Sequence, residues 1–336
     1  MRAIVTLVLR IALAATLLTG AAQAQRLAAQ PDPNYAAIQR ILTTPEQDID
    51  LVKAMLVIDR MIDPSIDSAA TLAQLDTMAK SLKDRLPTGA SPRLKLEALR
   101  HHIYKPTAWN SGRPFEYDLD DPYGTNVRNK LLATYLRTRK GNCISMPFLF
   151  IFLGHRLGLE LMASSAPAHV FVQWRDTDGK LYNLEATSGA GFTRNEWMRQ
   201  QFTMTDESLK SGIYMRPLSK KETVALLAET LLQFYKQEGR DSHLQALAEL
   251  LLLHSPKNVV AMLHVREALR ETWLREFVRK YPTPRDIPHD KRAKFVELEV
   301  KINALEDRAF KLGWRPPNEE REKQYREIVR NAKQKS

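Results

Sequence analysis

Cys143 is the only cysteine in 336 residues, and it stands in Gly141-Asn142-Cys143-Ile144-Ser145-Met146-Pro147. Downstream, His169 interrupts the apolar run Ala168-His169-Val170-Phe171-Val172-Gln173-Trp174, and Glu185 follows in Asn183-Leu184-Glu185-Ala186-Thr187. The order cysteine, histidine, acid suits a thiol nucleophile, the base that takes its proton and the group that orients the base. A lone thiol has no internal disulfide partner, so this one is buried, intermolecular or reactive.

Local pattern supports the reactive reading. The apolar run after Cys143, through Phe148, Phe152 and Leu157 to Gly158, predicts a helix with the cysteine in its first turn. There the sulfur faces unpaired N–H groups and the positive end of the helix dipole, which favour thiolate. An imidazole in reach lowers the thiol pKa further. The competing reading is a small buried core residue.

Hairpin register brings the other two residues together. Asp176-Thr177-Asp178-Gly179 reads as a turn with Gly179 in the left-handed position, which pairs Asp176 with Lys180. Counting back sets Phe171 opposite Glu185 and His169 opposite Thr187. His169, Phe171, Gln173, Asn183 and Glu185 then share one face, and Val170, Val172, Trp174, Tyr182, Leu184 and Ala186 form an apolar opposite face. Glu185 lies diagonally across from His169, within reach of a long side chain.

The remaining polar residues offer less. His101 and His102 are adjacent on a helix and face different ways, a poor metal pair. His155 reads as structural, and Glu46, Asp48 and Asp50 as ordinary acids at a helix start. With no HExxH, paired CxxC, P-loop or GxGxxG, neither a metal nor a cofactor is expected.

Around these residues the pattern is mostly helical. Residues 25–104 read as an N-terminal helical subdomain. Within it Thr44-Pro45-Glu46-Gln47 looks like a capping box ahead of Leu51, Met55, Ile58, Met61 and Ile62, and Ser91-Pro92 starts another helix. Turn formers between Trp109 and Gly124 predict a long ordered loop, and Val127, Leu131, Leu132, Tyr135 and Leu136 a helix stopped at Gly141. Residues 105–217 form the expected core, with strands near 159–162, 170–174 and 181–184. Helices follow near 219–236, 240–254 and 257–270, and two more charged helices in 271–336.

Residues 1–24 carry Arg2, an apolar run and Ala22-Gln23-Ala24, the pattern of a secretory signal cut after Ala24. Arg10 interrupts the run short of a membrane span. The expected location is therefore the periplasm or the exterior, without a membrane anchor. Losing this segment takes the formal charge from +11 to +9, because Arg2 and Arg10 leave and no acid goes with them. The remaining bases interleave with acids, as in Arg321-Glu322-Lys323, which reads as a solvated helix face and not a nucleic-acid surface.

Taken together, Arg139-Lys140-Gly141-Asn142-Cys143 before an apolar helix ending in Leu157-Gly158-Leu159, then His169-Val170-Phe171-Val172 and Asn183-Leu184-Glu185-Ala186-Thr187, resemble the transglutaminase-like superfamily of papain-type cysteine enzymes. Tyr214-Met215-Arg216-Pro217-Leu218, leading into helices 218–270, resembles the bacterial branch with tetratricopeptide-like helices. The resemblance covers roughly residues 35–265. It implies an α+β fold, with a nucleophile helix packed on a small antiparallel sheet and all-helical flanks. It also implies a nucleophilic Cys143, a general-base His169 and an orienting acid. The usual acid is aspartate, so Glu185 is a departure. Many members of the branch have lost the cysteine, which this chain keeps.

Two expectations follow. One is an exported thiol acyl-transfer enzyme, a peptidase, amidase or transamidase, acting on envelope peptides or proteins through Cys143, His169 and Glu185. Its oxyanion donors would be the backbone N–H of Cys143 and a group from the Trp109–Gly124 loop. The other is a catalytically silent scaffold whose groove and repeat helices hold peptide or protein partners.

Overall fold

The computed structural model describes residues 33–317 apart from residue 203, with isolated positions beyond. The signal segment 1–24 lies outside these residues, as does most of the second charged tail helix.

Four helices open the described chain: α1 (Pro33–Thr43), α2 (Leu51–Ile62), α3 (Ser68–Lys83) and α4 (Pro92–Tyr104). The capping box expected at Thr44 does not form. Thr44 instead donates its hydroxyl to the Arg40 carbonyl, and residues Glu46–Asp48 make a short 3-10 turn. The cap of α2 is Asp50, whose carboxylate accepts from the N–H groups of Val52 and Lys53. Asp50 wins because it is the acceptor immediately ahead of the apolar run. Glu46 is not spent on this helix start, since its carboxylate accepts from the backbone N–H of Lys220. Ser91 caps α4 as expected, accepting from Leu94 N–H, with Pro92 at the first helical position.

A 3-10 turn (Val127–Lys130) precedes helix α5 (Leu132–Thr138). The helix ends earlier than Gly141 because Arg139 takes a left-handed conformation (φ 61°) and turns the chain into a short strand. Buried Asp59 of α2 accepts from Leu132 N–H at 2.8 Å and so ties α5 to the N-terminal helices.

Two short parallel strands, β1 (Glu116–Tyr117) and β2 (Lys140–Gly141), fasten the turn-rich loop to the segment just before Cys143. Helix α6 (Ser145–Arg156) follows, with every residue from Ser145 to Gly154 buried. A helix apolar on all sides belongs at the centre of a core, and α6 packs against α4, α5 and strand β3.

Four antiparallel strands form a meander in sequence order: β3 (Glu160–Ala166), β4 (His169–Arg175), β5 (Leu181–Glu185) and β6 (Gly191–Thr193). The β4–β5 register is the one read from the sequence. Val172 pairs with Leu184, Trp174 with Tyr182 and Arg175 with Leu181, and the turn closes through Asp176 N–H to the Lys180 carbonyl with Gly179 at φ 80°. Val170, Val172, Trp174, Leu184 and Ala186 lie in the main core. β1, β2 and β6 were not expected, being too short to set up an alternation.

Helices α7 (Asn195–Gln201) and α8 (Asp206–Ser211) lead to Tyr214-Met215-Arg216-Pro217-Leu218, which runs beside β3 through Met215 N–H to the Ser165 carbonyl and Leu218 N–H to the Ala163 carbonyl. Next come α9 (Lys220–Gln237), α10 (Asp241–His254) and α11 (Val259–Trp273), each packed on its neighbour. Ser219 and Glu222 form a reciprocal cap at the start of α9, and Arg216 pairs with the same glutamate. A π-helical turn (Leu274–Val278) extends α11, and α12 (His289–Lys311) packs back on it. One apolar cluster runs from Ile38 through the sheet and α6 to Val265, so α9 packs on α1 and α2 in the same core that supports the sheet. Among the described residues no helix is long and apolar enough to cross a membrane.

Candidate functional site

Cys143 directly follows Asn142, whose carbonyl accepts from Met146 N–H at 3.1 Å, and so stands at the opening turn of α6 as expected, although regular helix begins only at Ser145 because Pro147 has no N–H to bond the Cys143 carbonyl. The Asn142 side-chain oxygen accepts from the N–H groups of Ile144 (3.0 Å) and Ser145 (3.3 Å). Ser145 Oγ returns the bond by accepting from Asn142 N–H at 3.1 Å. The thiol therefore stands on a doubly pinned turn at the positive end of a buried helix.

Gly141 makes that turn possible. A Cβ there would lie 2.5 Å from the ring of Tyr135 and 2.8 Å from Ser145 Oγ. Tyr135 is fully buried and sits edge-on to Phe115, so it cannot yield.

The structure brings the three expected residues together. His169, at the start of β4, stands beside Cys143, and the two side chains act on each other's titration. Its Nε2 lies 2.8 Å from Glu185 Oε2 at the end of β5. Glu185 is itself fixed, because its other oxygen accepts from both the N–H (3.0 Å) and the hydroxyl (2.6 Å) of Thr187. Phe202 stacks on the imidazole with centroids 4.6 Å apart and planes 14° from parallel.

Electrostatics follow from this geometry. Burial alone would push the Cys143 thiol up, but the bond to His169, its charge, the nearby Lys130 ammonium and the Val170 backbone together hold it below its ordinary value. Burial works against a charged His169, and the bonds to Cys143 and Glu185 overcome it and raise the imidazole to about 10. Glu185 is likewise pushed up by burial and brought below the usual carboxylate range by His169 and Thr187. All three shifts favour the charged forms, thiolate, imidazolium and carboxylate, over the neutral ones.

Lys130, Asn142 and Phe202 escaped the sequence reading. Lys130 comes from a 3-10 turn with no periodic signal, Asn142 was read only as part of the cysteine motif, and Phe202 lies in a segment with no expected element. Gln233 of α9 was also missed: its side-chain oxygen accepts from the Lys130 ammonium, while its amide donates to the Gly124 carbonyl at 3.0 Å.

Other polar candidates take structural roles. His155 Nε2 lies 2.7 Å from the Leu161 carbonyl, and buried His102 stacks on Trp109 with centroids 3.7 Å apart. Among the described residues no group of three His, Cys, Asp or Glu side chains is placed to hold a metal. A shallow pocket of about 330 Å³ between Lys83, Leu86, Pro87, Lys95 and Leu157 lies away from Cys143 and gathers no acid–base pair.

Residues 69–229 match the family described as the Transglutaminase-like superfamily. The chain is also similar to a UPF0162 protein of Buchnera aphidicola (subspecies Acyrthosiphon pisum), with 22% identity over 187 residues, 54% of this chain and 64% of the relative. The matched region thus spans under two thirds of that relative's length.

Proposed function

We propose that this chain, whose residues 69–229 carry a transglutaminase-like domain, is an exported thiol-dependent acyl-transfer enzyme acting on peptides or proteins of the cell envelope. The observation that carries the reading is the His169 imidazole, held 2.8 Å from the Glu185 carboxylate and set beside the Cys143 thiol. A buried ion pair of this kind is expensive unless it has a use, and activating a thiol is such a use.

In the proposed reaction the Cys143 thiolate adds to an amide carbonyl, forming a C–S bond as the carbonyl π electrons move to oxygen. Collapse of that intermediate breaks the C–N bond, and the His169 imidazolium gives its proton to the departing amine. Water or a second amine then attacks the thioester and loses a proton to His169, and collapse of that intermediate breaks the C–S bond, releasing the product and restoring the Cys143 thiolate. Glu185 keeps the ring oriented and balances its charge throughout. Hydrolysis is the favoured outcome because water is abundant.

Export rests on the sequence of residues 1–24 alone. The test of the chemistry is the pH dependence of Cys143 alkylation by iodoacetamide in the mature protein and in His169→Ala. Fast labelling at neutral pH that collapses in the variant is expected. A midpoint near the ordinary thiol value of ~8.5 in both proteins would overturn the reading and favour a binding scaffold.

A further inference from the structure

Two nitrogen donors near Cys143 both lie against Gly124. A Cβ built on Gly124 would lie 3.3 Å from Asn142 Nδ2 and 3.6 Å from Lys130 Nζ, with Lys130 Cε at 2.8 Å. Gly124 is left-handed (φ 59°), and its bare backbone gives the lysine stem room to lie across it. Asn142 is 2% exposed and its Nδ2 has no partner. Its side-chain oxygen is already committed to capping α6, so the amide hydrogens have a fixed direction.

The Lys130 ammonium is similarly short of acceptors. It donates to the neutral side-chain oxygen of Gln233, and among the described residues no carboxylate stands in ion-pair contact with it. The nearest acids are engaged elsewhere. Asp121 accepts from the backbone N–H groups of Thr125 and Asn126, the Thr125 hydroxyl and the Asn129 amide. Glu229 of α9 accepts from the Asn258 amide at 2.9 Å, and burial raises its carboxyl to about 7, which weakens it as a counter-charge near neutral pH. Burial pulls Lys130 below its ordinary value, and the charges of Cys143, Glu229 and Asp121 oppose that pull. A half-buried cation whose only side-chain acceptor is neutral and a buried amide donor with none are each costly, and an anion between them would relieve both.

We propose that Lys130 and Asn142 form an anion-binding corner beside the Cys143 sulfur, and that the acyl group offered to the thiol carries a carboxylate which this corner receives. The substrate class is then an acidic peptide or acidic acyl donor. The inference rests on the acyl-transfer reading above. It also assigns α9 a part in the site, since Gln233 of that helix holds Lys130 in place and at the same time ties down the Gly124 carbonyl.

The test compares a charged and a neutral reagent of the same size. Rate constants for Cys143 with iodoacetate and iodoacetamide are measured in the unaltered protein, Lys130→Met, Lys130→Arg and Asn142→Ala, and their ratio is taken for each. The expected result is a ratio above that of free cysteine at the same ionic strength, lost about tenfold in Lys130→Met, lowered in Asn142→Ala and largely kept in Lys130→Arg. A ratio unchanged in all variants overturns the proposal and leaves the two donors to the reacting carbonyl oxygen. A ratio that falls in Lys130→Met alone also overturns it, because the lysine would then act as a distant charge without a site.

Loss of the half-buried Lys130 can unfold the chain, so the unaltered protein supplies a second measurement. Acetate should protect Cys143 saturably against iodoacetamide and acetamide should not; equal protection, or none, overturns the proposal. Failure of the acyl-transfer reading is distinguishable, because it appears as an ordinary thiol midpoint whatever the reagent ratio.

Discussion

Nε2 of His169 lies 2.8 Å from Oε2 of Glu185, with side chains only 11% and 7% exposed. Water does little to screen a pair this deep, so the carboxylate acts on the ring at close to full strength.

Glu185→Gln keeps the shape and removes the charge. Without it the imidazolium loses one of the two groups holding its pKa up, and the thiolate loses support in turn. The midpoint of Cys143 alkylation should rise by about one unit or more. Glu185→Asp retains the charge on a stem one methylene shorter, so its midpoint should fall between those of the glutamine variant and the unaltered protein. A glutamine variant that titrates as the unaltered protein does would show that the 2.8 Å contact has no influence on the thiol.

Phe202 offers a second handle on the same ring. Stacked at 4.6 Å, it fixes the plane of His169 and favours the imidazolium through its π face. Phe202→Ala should slow alkylation about two- to fivefold at a pH below the thiol midpoint, where stabilising the imidazolium sets the thiolate fraction, equivalent to roughly 0.5–1 kcal/mol. Phe202→Leu, which fills the space without the π face, should recover the ordering part of the loss only. Identical rates in all three proteins would reduce the ring to a passive neighbour.

What the sequence disclosed follows from which interactions are local. The β4–β5 hairpin was legible because Gly179 marks the turn and the register it sets gathers Val170, Val172, Trp174, Tyr182 and Leu184 on one face, which carried His169 and Glu185 together to the other. Helix α6 was legible because its apolar run has no polar break before His155. The capping role of Asn142 was not legible, since it depends on Asn142 and Ser145 bonding to each other, a reciprocity no periodicity signals. Lys130 and Gln233 meet only through the packing of α9 on the Val127–Lys130 turn, a contact across 103 positions. Nothing local encodes it.

Asp59 gives a pH-dependent prediction away from the site. Burial raises its carboxyl to about 8, although its bond from Leu132 N–H works in the opposite direction. Between the unfolded carboxylate value near ~4 and about 8 the native state keeps a proton that the unfolded state has lost. Stability from this group is therefore present at low pH and declines as pH rises through that window, with a slope that can approach about 1.4 kcal/mol per unit. An asparagine in place of Asp59 does not titrate and retains an acceptor for the Leu132 N–H. Urea melts of Asp59→Asn should show its stability relative to the unaltered protein growing from about pH 5 to about pH 8. A difference that is flat with pH would mean that the native carboxyl ionises normally.

Gly141 tests whether the cysteine turn is as tightly seated as its contacts imply. The objection to a side chain there is space: Tyr135 lies 2.5 Å and Ser145 Oγ 2.8 Å from the position a Cβ would take. Gly179, at the hairpin tip, has the opposite character, with a left-handed φ of 80° and nothing within 4 Å. Gly141→Ala should cost about 1–3 kcal/mol through overpacking and slow Cys143 alkylation, because relieving the clash moves the Ser145 hydroxyl that accepts from Asn142. Gly179→Ala should cost about 1 kcal/mol through backbone strain alone and leave alkylation unchanged. The two variants thus separate loss of stability from loss of site geometry. If Gly141→Ala matched Gly179→Ala in both readouts, the turn that presents the thiol would have slack that these contacts rule out.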